Sequence, residues 1–163
     1  MRPRLEVVEV EGWPKPRGYV NGMVTRGRTL HVAGQVGWNE AGEFPSADLA
    51  GQLAQALDNV LAVVRAAGGA PEDVARMTIY VTDLDAYRRS VREVGAAWRA
   101  RFGKHFPAMA LVGVAGLVER AALVEIEAVA ALPELPEPPE RPEHSARTLE
   151  EDDDDDDDGE APA

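Results

Sequence analysis

The sequence predicts one small α+β domain followed by an acidic tail. A length of 163 residues suits a single hydrophobic core. Apolar residues recur with a period of two in several segments and every three or four residues in others, which indicates strands alternating with helices. The composition then changes abruptly at Pro133 to a run rich in proline, glutamate and aspartate. We therefore expect a folded domain at residues 1–132 and a disordered acidic tail at residues 133–163.

The net charge of −12 comes from the tail. Residues 133–163 hold 14 of the 29 acidic residues but only 2 of the 17 lysines and arginines, so the remaining domain is neutral. A protein that binds nucleic acid usually presents a clustered basic face. We therefore expect no nucleic-acid partner.

The residue types exclude several other classes of site. The chain has no cysteine, which excludes disulfides, thiolate catalysis and cysteine-ligated zinc. His31, His105 and His144 are far apart in sequence, so we expect no metal site. The N-terminus lacks the apolar stretch of a signal peptide, and no later run approaches the ~20 apolar residues that span a bilayer. We expect a cytoplasmic protein without a membrane segment.

Alternating apolar residues predict the strands. The pattern is regular in residues 30–36, 77–81 and 124–130, where nearly every second position is apolar. Further strands are expected at about 19–25, at about 108–114 and near 5–10.

Two helices separate these strands. Leucine and valine recur at intervals of three and four over residues 49–64, which predicts one apolar stripe on a helix. The same rhythm over residues 87–102 predicts a second helix, with Asp83 or Asp85 at its start and Gly103 at its end.

The arrangement of layers predicts an oligomer. Right-handed crossovers place both helices on the same face of one mixed sheet. The other face carries valine, leucine, alanine and methionine and has no helix to cover it. Because so apolar a surface is rarely left in water, we expect a second subunit to pack against it.

Seven short strings, in order along the chain, carry a resemblance to a known family. They are residues 18–22 (GYVNG), 32–35 (VAGQ), 55–60 (QALDNV), 66–68 (AAG), 79–84 (IYVTDL), 106–108 (FPA) and 124–130 (VEIEAVA). Over about residues 15–131 the chain resembles the RidA/YjgF family of reactive-intermediate deaminases, also called endoribonuclease L-PSP. The resemblance implies a chorismate-mutase-like α+β subunit that forms a homotrimer, with three ligand clefts between neighbouring subunits.

The resemblance also implies a chemistry. In the deaminases of that family, each cleft binds an imine or enamine derived from an amino acid, without a metal or organic cofactor. A glutamate orients a water toward the C=N carbon, an arginine grips the substrate carboxylate, and a tyrosine, a serine and an asparagine make polar contacts. Carried over by position, the candidate catalytic residues are Glu125 and Tyr19.

Three of the five family positions are apolar in this chain. The arginine corresponds to Met109, the serine to Ala33 and the asparagine to Val91, while Arg17 is the cation nearest in sequence that could replace the missing one. These four are the candidate substrate-binding residues. A hydrogen bond to a charged group contributes about 1.5–3 kcal/mol, and a thioether cannot supply it. We therefore expect weak activity on 2-aminoacrylate.

Glu125 also stands out from its neighbours alone, because it lies between Val124 and Ile126 in an apolar strand. A carboxylate there must reach water, a partner group or a subunit interface. Two interpretations stay open for it: a salt bridge or edge position, and a general base acting on water.

Two functions also stay open. The first is a cofactor-free hydrolase or deaminase that acts on a less anionic imine or enamine. The second is a non-catalytic trimer that binds a small metabolite or a partner protein in the same clefts. Ribonuclease activity, which the family's older label suggests, has the least support, because the sequence shows neither a basic groove nor a histidine-based catalytic pair.

Overall fold

The computed structural model describes residues 4–135, which contain six strands, three α-helices and one 3-10 turn. The strands are β1 Leu5–Val8, β2 Gly22–Thr25, β3 Arg28–Val36, β4 Val74–Val81, β5 Ala108–Gly113 and β6 Val124–Leu132. The helices are α1 Leu49–Ala66, α2 Leu84–Arg89 and α3 Val91–Phe102, and the 3-10 turn is Pro71–Asp73. The predicted acidic tail lies outside the described residues from position 136 onward. None of the helices within residues 4–135 is long and apolar enough to cross a membrane.

The central element is a four-stranded mixed sheet with strand order β3-β6-β4-β5. Strand β6 is antiparallel to both of its neighbours, whereas β4 and β5 are parallel and are joined through α2 and α3. The prediction of a mixed-sheet α+β fold is confirmed.

The helices pack on one face of this sheet, as expected. Alternate residues of β6 are buried against them, and the side chains between point to the opposite face. The stripe on α1 supplies the largest part of the core, with Leu53, Leu57, Val60, Leu61 and Val64 fully buried. Helix α3 adds Trp98 and Phe102, whose rings stack with centroids 4.4 Å apart. Burial of side chains of this size contributes roughly 1.5–3 kcal/mol each, so this layer accounts for most of the hydrophobic stabilisation.

The prediction of a single sheet is wrong, because β1 and β2 form a separate two-stranded sheet. The chain leaves β2 through Gly27, which has φ +107° and lies so close to β6 that a Cβ there would meet the Leu132 carbonyl oxygen at 2.6 Å. This turn directs β3 away from β2 instead of pairing the two as a hairpin. Strand β2 also begins later than predicted, at Gly22.

The prediction of one helix over residues 87–102 is also wrong, since the segment forms α2 and α3. The break falls at Ser90, whose backbone has φ −106° and ψ 15°. The Ser90 hydroxyl donates to the carbonyl of Ala86 at 2.8 Å. Serine competes in this way with the regular helical pattern, and such bonding bends helices. Asp83, one of the two predicted caps, accepts from the backbone N–H groups of Asp85 and Ala86.

Helix α1 begins at Asp48, whose side chain caps it. Its Oδ1 accepts from the Gly51 N–H at 2.9 Å, and the Ser46 hydroxyl donates to Oδ2 at 2.8 Å. These two hydrogen bonds, that of Gly51 foremost, hold the pKa of Asp48 below its ordinary value.

Replacing this cap is expected to destabilise the domain in a pH-dependent way. Asp48→Ala should lower the free energy of unfolding by about 1 kcal/mol at neutral pH. Because the folded-state pKa of Asp48 is lowered, its contribution is complete above the unfolded-state pKa and is lost as the pH falls through the folded-state value. Urea unfolding at neutral and acidic pH measures the difference. Asp48→Asn is the control, since its amide oxygen caps without titrating; equal behaviour of Asp48→Ala and wild type at neutral pH would contradict the assignment.

Candidate active site

A cavity of about 430 Å³ lies between α3, strand β5 and the segment that precedes β2. Its volume is within the range of small-molecule sites. Most of its wall is apolar, formed by Leu53, Ile79, Val91, Val94, Trp98, Phe106, Met109 and Leu111.

Tyr19 reaches this cavity because the segment before β2 is fastened to the start of β5. Val20 pairs with Ala108 in an isolated parallel bridge, and its N–H donates to the Pro107 carbonyl at 3.2 Å. Gly18 turns the chain with φ +78°. Tyr19 therefore stands beside the first residues of β5, with 43% of its surface exposed.

Met109 forms part of the floor of the cavity. It pairs with Met77 of β4 on the helix-facing side of the sheet, and it packs against the buried core. Val91, the first residue of α3, lines the same cavity and is 52% exposed. Met109 and Val91 thus line one cavity, and both present apolar atoms to it.

Among the described residues, three cations line the cavity and no carboxylate does; they are Arg17, Arg99 and Lys104. Within residues 4–135 the ion pairs involve other arginines, so these three are not neutralised by a described acid. The Arg99 side chain lies back over Gly95, where a Cβ would approach its Nη1 to 3.2 Å. Sequence reasoning identified Arg17 but missed Arg99 and Lys104. The signal for Arg99 was its position eight residues after Val91, which places both on one helix face.

A larger cavity of about 670 Å³ adjoins this one, between the two-stranded sheet and residues 104–106. It shares four residues with the smaller cavity, Gly18, Tyr19, Lys104 and Phe106, but contains neither Met109 nor Val91. The smaller cavity is therefore the candidate site, because it gathers four of the predicted residues.

Glu125 lies on the opposite face of the sheet. Its carboxylate occupies the space above Gly34, and a Cβ at that position would overlap it, with the carboxyl carbon only 2.8 Å away. Gly34 and Ala33 lie in an irregularity of β3, where the register against β6 shifts between Val32 and Gln35. The absence of a side chain at position 34 is what allows the Glu125 carboxylate to lie against the backbone of β3.

The surroundings of Glu125 leave its carboxylate available. Tyr80 lies opposite it on β4, but the Tyr80 hydroxyl donates to Glu127 at 3.0 Å. This hydrogen bond to a carboxylate raises the pKa of Tyr80. Glu127, rather than Glu125, is therefore the paired carboxylate of this face.

Comparison with known proteins decides the family. Residues 14–132 match the sequence model of the family described as Endoribonuclease L-PSP. The chain belongs to the RidA/YjgF family. The 2-iminobutanoate/2-iminopropanoate deaminase of Escherichia coli is 38% identical to it over 130 residues, an alignment that covers 77% of this chain and 96% of the relative.

Solved RidA/YjgF-family structures agree with this assignment. The Rid-family protein YyfB of Yersinia pestis matches with a TM-score of 0.71 and 34% identity, over 80% of this chain and 100% of that one. TdcF of Escherichia coli, solved with bound serine, matches with a TM-score of 0.58 and 32% identity, over 78% of this chain and 99% of that one.

One subunit of this RidA/YjgF protein does not bring all the predicted site residues together. Four of the six line the cavity on the helix side of the sheet, whereas Glu125 and Ala33 lie on the other face. The sheet itself stands between the two groups. Any site that uses both must therefore combine residues from two chains.

Proposed function

We propose that this protein is a cofactor-free hydrolase of imines or enamines and that it forms a homotrimer. In this trimer, each interface joins the cavity of one subunit to Glu125 of the next. The observation that carries the proposal is the separation of the two groups of site residues by the sheet, because it requires a second chain to complete the site. The sheet face away from the helices is the surface that such a neighbour would cover. It is mixed, with Val112 41% exposed beside Tyr80 and Glu127, and not the apolar face expected from the sequence, whose methionines lie on the helix side.

Similar proteins support the reaction. A relative with 38% identity is named as a deaminase of 2-iminobutanoate and 2-iminopropanoate, and TdcF was solved with an amino acid bound. An imine, an oxo acid and an amino acid have the same carbon skeleton, so a cavity that accepts one has the size for the others.

The proposed mechanism uses Glu125 as a general base. Its carboxylate accepts a proton from a water whose oxygen adds to the carbon of the C=N bond. The nitrogen takes up the proton that Glu125 removed from the water, which gives a carbinolamine with one hydroxyl and one amino group on the carbon. The hydroxyl proton then passes to the nitrogen by way of Glu125, the C–N bond breaks, and ammonia leaves while the carbon becomes a carbonyl. The Tyr19 hydroxyl, at the mouth of the cavity, holds the substrate by a hydrogen bond. Arg17, Met109 and Val91 position the rest of the substrate, and Ala33 borders the water beside Glu125.

Met109 favours one alternative function. Without the arginine on β5, the trimer could bind a metabolite in the cleft and perform no chemistry on it. This alternative and the proposed hydrolase share the same assembly and differ only in turnover.

The proposed function predicts accelerated imine hydrolysis by the full-length protein. Imines are produced in place from individual amino acids by an amino-acid oxidase, and semicarbazide traps whatever imine remains. We expect the protein to lower the yield of trapped imine for at least one amino acid, with weak activity on 2-aminoacrylate because Met109 offers its carboxylate no hydrogen bond.

Light scattering of the same sample tests the assembly. We expect three times the chain mass of 17.6 kDa. A monomer at micromolar concentration would contradict the shared site. A trimer that hydrolyses none of the imines would leave the binding protein as the function.

A further inference from the structure

The composition of the cavity indicates a substrate class, given the proposed function. We propose that the cavity selects a monoanion that carries a bulky apolar group. The substrate of this class is an imino acid with an aromatic or branched side chain. The apolar group lies against Met109 and against the aromatic wall, which is formed by Trp98 and Phe106. The carboxylate is held at the mouth by Arg17, Arg99 and Lys104, and not deep in the cavity as an arginine at position 109 would hold it.

The aromatic wall consists of Trp98 and Phe106, which stack on each other, and it presents no unpaired polar atom. The rings of Trp98 and Phe106 are parallel within 3°, with centroids 5.8 Å apart. The indole N–H of Trp98 already donates to the carbonyl of His105 at 3.1 Å. Such a wall favours an aromatic or branched hydrocarbon group by burial and stacking.

The position of α3, and hence of this wall, is fixed by an ion pair. The Arg101 guanidinium makes two hydrogen bonds to Asp58 of α1, Nε to Oδ1 at 2.7 Å and Nη2 to Oδ2 at 2.6 Å. A bidentate pair of this kind restricts both distance and orientation. Together with the burial of Trp98 and Phe102 in the core, this pair holds α3 in place without a ligand.

The size of the cavity agrees with a bulky group. At about 430 Å³ it has room for more than a three-carbon imino acid, which would leave the aromatic wall uncovered. Gly95 contributes to this room, because a side chain there would project into the cavity it lines.

The cations define the charge of the ligand. Arg17 precedes β2, whereas Arg99 lies in α3 and Lys104 in the turn directly after it, and all three are exposed. An exposed cation binds a carboxylate without a large desolvation penalty. A mouth that is lined by cations, with no carboxylate from residues 4–135, raises the local concentration of anions.

Three stable probes test separately whether the cations and the apolar wall select the ligand. They are 3-phenylpropanoate, the neutral 3-phenylpropanamide and propanoate. Binding to full-length wild type is measured by calorimetry or by NMR titration. We expect 3-phenylpropanoate to bind at least about tenfold more tightly than either of the others. If the amide binds equally well, the cations do not select the ligand. If propanoate binds equally well, the apolar wall does not select the ligand.

Substitutions at the mouth of the cavity test which cations bind the carboxylate of the ligand. Arg99→Gln and Lys104→Gln are each expected to weaken binding of 3-phenylpropanoate by about three- to tenfold and to leave 3-phenylpropanamide unchanged. Arg92→Gln is the matched control, because it makes the same change of charge on the same helix outside this cavity. An equal loss in Arg92→Gln would mean a general electrostatic effect and would overturn the assignment.

A substitution inside the cavity tests the apolar part. Gly95→Leu is expected to abolish binding of 3-phenylpropanoate and to retain weak binding of propanoate, since the added side chain fills the space while the flexible Arg99 head group moves aside. Unchanged 3-phenylpropanoate binding would place the ligand elsewhere.

The outcomes distinguish this inference from the proposed function. If 3-phenylpropanoate binds as expected but no imine is hydrolysed, the proposed reaction fails and the ligand class stands. If imines are hydrolysed while the three probes bind equally, the reaction stands and the ligand class is wrong.

Discussion

Glu125→Gln is expected to lower imine hydrolysis by about 10²- to 10⁴-fold while the trimer remains folded. The amide has nearly the same shape as the carboxylate but cannot accept a proton from water. Trapped-imine assays measure the loss. Thermal unfolding and light scattering of the variant show whether the fold and the assembly are retained.

Two further measurements make this prediction specific. Glu125→Gln should bind 3-phenylpropanoate as tightly as wild type, since the mouth and the aromatic wall are unchanged. Gly34→Ala should reduce the rate in a similar way, because its Cβ would overlap the Glu125 carboxylate and displace it. A rate in Glu125→Gln equal to that of wild type would show that Glu125 is not the base.

Two inactive variants should restore activity to each other when they are co-expressed. Glu125→Gln removes the base from one side of the sheet, and Gly95→Leu closes the cavity on the other. If each site takes one group from each of two chains, random mixed trimers carry about one quarter of their sites intact. Trapped-imine assays on the co-expressed protein should therefore show roughly a quarter of the wild-type rate.

For the control, each variant is expressed and purified alone. The two purified trimers are then mixed under conditions in which they do not exchange subunits. No activity is expected there. Mixed trimers that stay inactive would mean that Glu125 and the cavity act within one chain or not together at all.

Most of the secondary structure could be predicted from the sequence because it depends on near neighbours. The alternation in β6 and the three-four rhythm in α1 are both visible along the chain, and both elements form as expected. The break at Ser90 was missed because valine, tryptophan and phenylalanine continue the apolar rhythm past it. The non-helical backbone of Ser90, with φ −106° and ψ 15°, leaves no trace in that rhythm.

The candidate site was predictable only in part. Tyr19, Met109 and Val91 were carried over by position, and the structure places them around one cavity. Lys104 gave no signal, because a lysine after a helix-ending glycine is an ordinary surface residue. Its role depends on which segments fold beside it.

The sequence by itself determined most of the strands and helices, the neutrality of the domain and the identity of the family, since each follows from residue order and composition. Only the tertiary structure decided that Glu125 and Met109 lie on opposite faces of the sheet and that Arg99 and Lys104 join Arg17 at the cavity. These relations depend on contacts between distant segments: the bridge of Val20 to Ala108 and the close approach of Gly34 to Glu125. Residue periodicity reports which face of its own element a side chain occupies, but it carries no information on which other segment packs against that face.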